Sequence, residues 1–116
     1  IALALQVSVM EASSSPTLIF DEIDVGIGGR VAEIVGQQLA TLGSIRQVLC
    51  ITHLAQVAAN AHHQILISKS GDPVEAQIHT LKETQRVDEI ARMMGGIEIT
   101  EQTRAHAEEM LNHANC

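Results

Sequence analysis

Aromatic residues are almost missing from this chain: Phe20 is the only Phe, and Trp and Tyr are absent. The core must therefore be aliphatic, and recognition of single-stranded nucleic acid by base stacking has almost nothing to work with. Positive charge is also scarce, with seven Lys and Arg against fourteen Asp and Glu and a net charge of −7. That balance argues against a phosphate-backbone footprint on this segment and puts any nucleic-acid contact elsewhere. Only two cysteines occur, Cys50 and Cys116. They make neither a disulfide framework nor a metal-ligand spacing; Cys50 reads as a buried structural thiol, which suits a reducing cytoplasmic compartment. Long apolar runs are lacking too. The opening run from Ile1 is interrupted by Gln6 and Ser8 and ends at Glu11, without a basic leader, so neither a signal peptide nor a span of about 20 apolar residues fits.

The chain opens on Ile1 with no Met, and residues 1–13 have good helix propensity until Ser13-Ser14-Ser15-Pro16 stops them. The expectation is a helix whose upstream part has been cut away. With 116 residues, 46% hydrophobic and 18% charged, the composition is that of a globular domain or a piece of one, which excludes general disorder.

Leu18-Ile19-Phe20 is a short apolar run without alternation, which predicts a strand buried on both faces, as in parallel sheets. After Gly26-Ile27-Gly28-Gly29, apolar residues at Val31, Ile34, Val35, Leu39 and Leu42 have helical spacing, with Gly43 as the expected cap. Val48-Leu49-Cys50-Ile51 is a second flat strand. Strand, helix and strand within about 35 residues make a βαβ crossover with parallel strands. A short helix is expected over 54–60. Strands over 63–68 and 74–81 flank the turn signal Ser70-Gly71-Asp72-Pro73, as a hairpin or two adjoining edge strands. Val87, Ile90, Ala91 and Met94 mark a further helix closed by Gly95-Gly96, and the last helix runs from about Thr100 with Ala107, Met110, Leu111 and Ala114 on one side. The fold class is α/β, in one unit with parallel core strands, a hairpin and closing C-terminal helices.

The chemistry concentrates in Thr17-Leu18-Ile19-Phe20-Asp21-Glu22-Ile23-Asp24. Three apolar residues lead into two adjacent carboxylates at the C-terminal end of a parallel strand, the edge at which open α/β sheets bind ligands. Adjacent like charges there suit a cation or proton transfer, and Mg²⁺ takes one or two carboxylates together with phosphate oxygens. In nucleotide hydrolysis Asp21 would hold Mg²⁺ and Glu22 would deprotonate the attacking water; acids merely facing solvent at a strand end are the alternative. Asp24 begins a glycine-rich turn in which Gly26 and Gly28 permit close backbone approach to a nucleotide or a partner subunit, or serve simple chain reversal. It is no Walker A loop, since the Gly-Lys-Ser/Thr ending is missing. Thr52-His53 closes the neighbouring strand on the same edge, where an imidazole can bond a γ-phosphate or position water.

Other residues carry less. His62, His63 and His79 complete no metal spacing, and adjacent histidines on a strand point to opposite faces. Met93 and Met94 read as core filling, Glu108 and Glu109 as a solvated face. Arg30, Arg46, Arg86, Arg92 and Arg104 form no cluster.

The order of apolar helix, LIFDEID, VGIGG and CITHLAQVA resembles the C-terminal half of an ABC-type ATPase head, a P-loop NTPase. More narrowly, FDEIDVGIGG, THLAQVA, the Ser68-Lys69 pair and ARMMGG at 91–96 are similar to the end of the SMC-like ATPases of bacterial DNA repair. The resemblance covers essentially the whole chain, with one departure at Ala55, where a proline is expected. It implies that residues 1–116 are a partial head, with Ile1 just after the signature motif and the Walker A loop, Q-loop and coiled-coil arms upstream. By position, Asp21 would be the Mg²⁺ carboxylate, Glu22 the general base, Asp24 the D-loop acid and His53 the switch residue, with Gly26 and Gly28 in the nucleotide-facing loop. ATP and Mg²⁺ are the implied cofactors. The implied partners are a second head, joined through ATP, and DNA held by other parts of a nucleoid-associated cytoplasmic protein, with no membrane. Such a piece alone should not hydrolyse ATP. The alternatives are the head of another SMC-like or ABC ATPase, such as a transporter subunit, and a non-catalytic α/β interaction domain.

Overall fold

The computed structural model describes residues 17–21, 26–95 and 98–114. In chain order these form strand β1 (Thr17–Asp21), helix α1 (Gly29–Gly43), strand β2 (Gln47–Ile51), the one-turn helix α2 (Ala55–Ala58), strands β3 (Gln64–Ser70) and β4 (Glu75–Leu81), and helices α3 (Glu83–Gly95) and α4 (Glu101–Ala114). The helix expected over 1–13 lies outside the described residues, as do Glu22, Asp24, Gly96 and Cys116.

β1 and β2 pair in parallel, in a register running from Thr17 opposite Gln47 to Asp21 opposite Ile51. α1 is the crossover between them. Leu18 and Phe20 point into a cluster with Ala32, Val35, Leu39 and Leu42 of α1 and Val57 of α2, so the single aromatic residue stands at the core. Cys50 is half-buried at the edge of this cluster. The expectation of burial on both faces is corrected: β1 alternates, with Ile19 66% exposed, and β2 leaves Leu49 46% and Ile51 53% exposed. The reason is that a single helical layer packs on this sheet among the described residues.

α1 turns inward only part of the expected apolar set. Ala32, Val35, Gly36, Leu39 and Leu42 are buried, while Val31 and Ile34 are exposed. At 3.6 residues per turn the small residues Ala32 and Gly36 take the inner stripe, where helices approach closely. A side-chain carbon at Gly36 would lie 3.0 Å from the Gln56 carbonyl oxygen and 2.8 Å from Asn60 Nδ2. Gly43 is the last helical residue rather than the cap. Ser44 caps in an ordinary right-handed conformation, its hydroxyl donating to the Thr41 carbonyl at 2.6 Å.

A second cluster joins Ala55, Ala58 and Ala59 to Ile90, Ala91, Ala107 and Leu111, with Met93, Met94 and Met110 at its rim. α2 therefore belongs to both clusters, Val57 to the first and its alanines to the second. One turn of helix is not stable by itself. Arg86 of α3 reaches across to hold its end, donating to the carbonyls of Ala58 (3.3 Å) and Ala61 (3.0 Å) and to Gln64 Oε1 (3.2 Å). Partial burial among these groups pushes the Arg86 guanidinium below its ordinary pKa.

β3 and β4 form an antiparallel hairpin, with Gln64 opposite Leu81 and Ser70 opposite Glu75. Its turn places Gly71 at φ +91. β3 begins at Gln64, so His62 and His63 precede the strand instead of alternating along it. β4 is exposed along nearly its whole length. α4 is capped by Thr100, whose Oγ1 accepts the Thr103 N–H at 3.1 Å, and is tied to α3 by the Arg104–Asp88 ion pair. On α3, Arg92 Nε donates to the buried Glu89 at 2.8 Å; that bond holds Arg92 above its ordinary pKa against the opposing effect of burial. Among the described residues no helix is long and apolar enough to cross a membrane.

Candidate functional site

Because β1 and β2 are parallel and in register, their C-terminal ends lie side by side. Asp21 closes β1 and its register partner Ile51 closes β2. Thr52 and His53 follow at once, which brings Asp21 and His53 to one edge of the sheet; both are exposed. The chain does not wander after β2. Thr52 Oγ1 accepts the Leu54 N–H at 3.0 Å, closing a side-chain turn over His53. Leu54 then caps α2 in an extended conformation and packs against the first core cluster.

The glycine loop leads from the same edge into α1. Gly26 has φ +80 and Gly29 φ +55, the left-handed region that favours glycine. Gly28, which the sequence singled out with Gly26, is instead extended at φ −167, a conformation open to any residue. Added side-chain carbons at Gly26, Gly28 or Gly29 would meet nothing within 4 Å. Ile27 packs on the core cluster between them, so the loop is anchored at its centre and open on its outer side. Glu22 and Asp24 lie outside the described residues.

The arrangement offers an exposed carboxylate and an exposed imidazole at adjoining strand ends. A single Asp oxygen ligand, completed by waters and phosphate oxygens, is a common way to hold Mg²⁺, so Asp21 fits that role as one ligand of a shared site. It does not build a cage: among the described residues no group of three or more His, Cys, Asp or Glu could hold a metal ion. This includes His62, His63 and His79. A separate cleft of about 280 Å³ lies between α1, α2 and α4, lined by Glu33, Gln56, Asn60, His106 and His113 among others; it contains none of the strand-end residues. Sequence reasoning did not single out Thr52, Gly36 or Arg86 for what they do here. A glycine inside a helical pattern is a signal of close approach; Arg86 carries no such signal.

The chain is similar to DNA repair proteins. It is 47% identical over 112 residues to the DNA repair protein RecN of Vibrio cholerae, covering 95% of this chain and 20% of that protein. To RecN of Haemophilus influenzae it is 47% identical over 114 residues, covering 97% and 20%. To RecN of Halalkalibacterium halodurans it is 42% identical over 116 residues, covering 98% and 20%. The chain thus spans about a fifth of the length of the curated relatives it matches. No family model matches it. Among solved structures it is similar to one from work on ATP-driven dimerization and DNA-stimulated activation of SMC ATPases, with a TM-score of 0.56 and 21% identity, covering 75% of this chain and 53% of that one.

Parallel strand ends, an apolar crossover helix, a hairpin and closing helices make an α/β fold similar to that of the SMC ATPase structure. In sequence the chain resembles a segment of RecN proteins.

Proposed function

We propose that residues 1–116 are part of the ATP-binding and ATP-hydrolysing head of a RecN-like protein that acts in double-strand break repair and recombination of bacterial DNA. The observation that carries this reading is the register of β1 with β2, which puts Asp21 beside Thr52-His53 in a chain so similar to RecN. In this reading Asp21 is a Mg²⁺ ligand, Glu22 the general base, Asp24 the acid of the loop facing a second head, and His53 the residue bonding the γ-phosphate. Gly26 and Gly28 lie in the loop that meets nucleotide or partner, and Gly29 shares that role through its backbone. Mg²⁺, when bound, supplies charge stabilisation at the phosphates. Two heads close around ATP, other parts of the protein engage DNA, no membrane is involved, and the protein works in the cytoplasm at the nucleoid. The similarity to a structure from work on ATP-driven dimerization and DNA-stimulated activation of SMC ATPases supports the dimer and the DNA engagement.

The test is Glu22→Gln in the full-length protein. A general base contributes on the order of 10²- to 10⁴-fold, so turnover should fall by about that factor while ATP binding and head closure persist. Near-normal hydrolysis would refute the assignment of Glu22. The 116-residue chain alone should not turn over ATP, because its sequence holds no Walker A loop; Mg-dependent hydrolysis by the purified chain would contradict the division of the site.

A further inference from the structure

We infer that Thr52 is a positioning residue for His53, acting through the backbone turn that its own side chain closes; the inference rests on the hydrolytic reading above. Thr52 Oγ1 accepts the backbone N–H of Leu54 at 3.0 Å. That bond bridges His53 and fixes the path of the chain over it. Both ends of the bridged segment are independently held. Upstream, Ile51 is locked opposite Asp21 by the parallel register. Downstream, Leu54 packs against the first core cluster, and its carbonyl accepts the N–H groups of Val57 (3.2 Å) and Ala58 (3.1 Å).

The far end of α2 is held as well, by the Arg86 bonds to Ala58 and Ala61. The helix therefore cannot swing to absorb a change at its start. Between these anchors the Thr52 bond spans the backbone of residues 52 and 53 and sets the turn they make. The imidazole is then presented at the edge shared with Asp21 by a preformed turn, which matters because phosphoryl transfer depends on placement of donors.

Two substitutions in the full-length protein separate positioning from mere support. Thr52→Val keeps size and branching and removes the acceptor; Thr52→Ser keeps the acceptor. Misplacement by about 1 Å can cost on the order of 10²-fold, so Thr52→Val should lower kcat for ATP by about 10- to 100-fold with KM nearly unchanged, and Thr52→Ser should recover most of the loss. In a His53→Ala background Thr52→Val should subtract nothing further, since the group it places is gone. Normal turnover in Thr52→Val, no recovery in Thr52→Ser, or an equal loss with and without the imidazole overturns the inference. So does ATP affinity that collapses together with kcat, which marks damage to the fold; Thr52→Ala repeats the comparison should the valine protein not fold. If His53→Ala turns over normally, the hydrolytic reading fails and takes this inference with it. If His53→Ala is impaired and Thr52→Val is not, the reading stands and the inference alone is lost.

Discussion

Gly36 shows how one residue without a side chain sets the spacing of two helices. It lies buried at the middle of α1, and its missing side-chain carbon leaves room for the Gln56 carbonyl and the Asn60 amide. Asn60 itself donates to that carbonyl at 2.8 Å, so the contact is made by a bonded pair that has little room to withdraw. Gly36→Ala gains helix propensity of up to about 1 kcal/mol. Against this, overpacking against a backbone oxygen costs about 1–3 kcal/mol. The clash should win, because the opposing atom belongs to the backbone of a helix pinned at both ends. The expected outcome is a chain destabilised by about 1–2 kcal/mol in a denaturant titration; an unchanged or higher midpoint would mean that α2 can slide. At Gly26 and Gly29 the reason for glycine is different. Nothing crowds them, and the backbone angle alone makes the demand.

At the scale of elements, α2 is the shortest among the described residues and is held from several sides. Its four residues stand in both hydrophobic clusters and receive Arg86 at their C-terminal end. Arg86→Ala leaves the carbonyls of Ala58 and Ala61 and the oxygen of the buried Gln64 without this donor. An unsatisfied buried polar group costs about 1–3 kcal/mol, so a loss of about 2–3 kcal/mol is expected by thermal or chemical denaturation. Arg86→Lys should recover only part of it, since an ammonium cannot reproduce the planar fork. An Arg86→Lys protein as stable as the parent would mean that charge, not geometry, holds α2. The strand–helix–strand order, the hairpin and both closing helices were legible in the sequence because apolar spacing and turn residues are local signals. The phase of α1 was not. Val31 and Ile34 satisfied the same helical spacing as Val35 and Leu39, and the packing of α1 on Leu18 and Phe20, together with the approach of α2 to Gly36, decides which stripe is inside. The edge that carries Asp21 and His53 was legible because crossover connections force parallel strands. Which glycine takes the left-handed conformation, and the turn closed by Thr52, depend on backbone geometry that residue types alone do not carry.

The whole molecule has an imbalance between what it buries and what it shows. Parallel sheets are ordinarily covered on both faces, yet here Ile19, Leu49 and Ile51 form an exposed apolar face on β1–β2, and Ile65, Ile67 and Ile78 form another on the hairpin. Ile67 and Ile78 are register partners, so the second patch is continuous across the two strands. Apolar surface of this kind gains about 25 cal/mol per Å² when it is removed from water, which favours association of the chain with itself. The net charge of −7 opposes this. Charge repulsion between surfaces is screened beyond about 8 Å at physiological ionic strength but reaches about 30 Å at 0.01 M. The chain on its own should therefore be mostly monomeric at low salt and associate as salt rises, the reverse of an assembly held by ion pairs. Ile67→Lys should suppress the association at every salt concentration without lowering the unfolding midpoint, because the side chain it replaces contacts water. Sedimentation velocity across a salt series checks the first statement and a denaturant titration the second. Association that weakens with salt would assign the self-contact to charges, and a lowered midpoint for Ile67→Lys would mean that the hairpin face is packed within the chain.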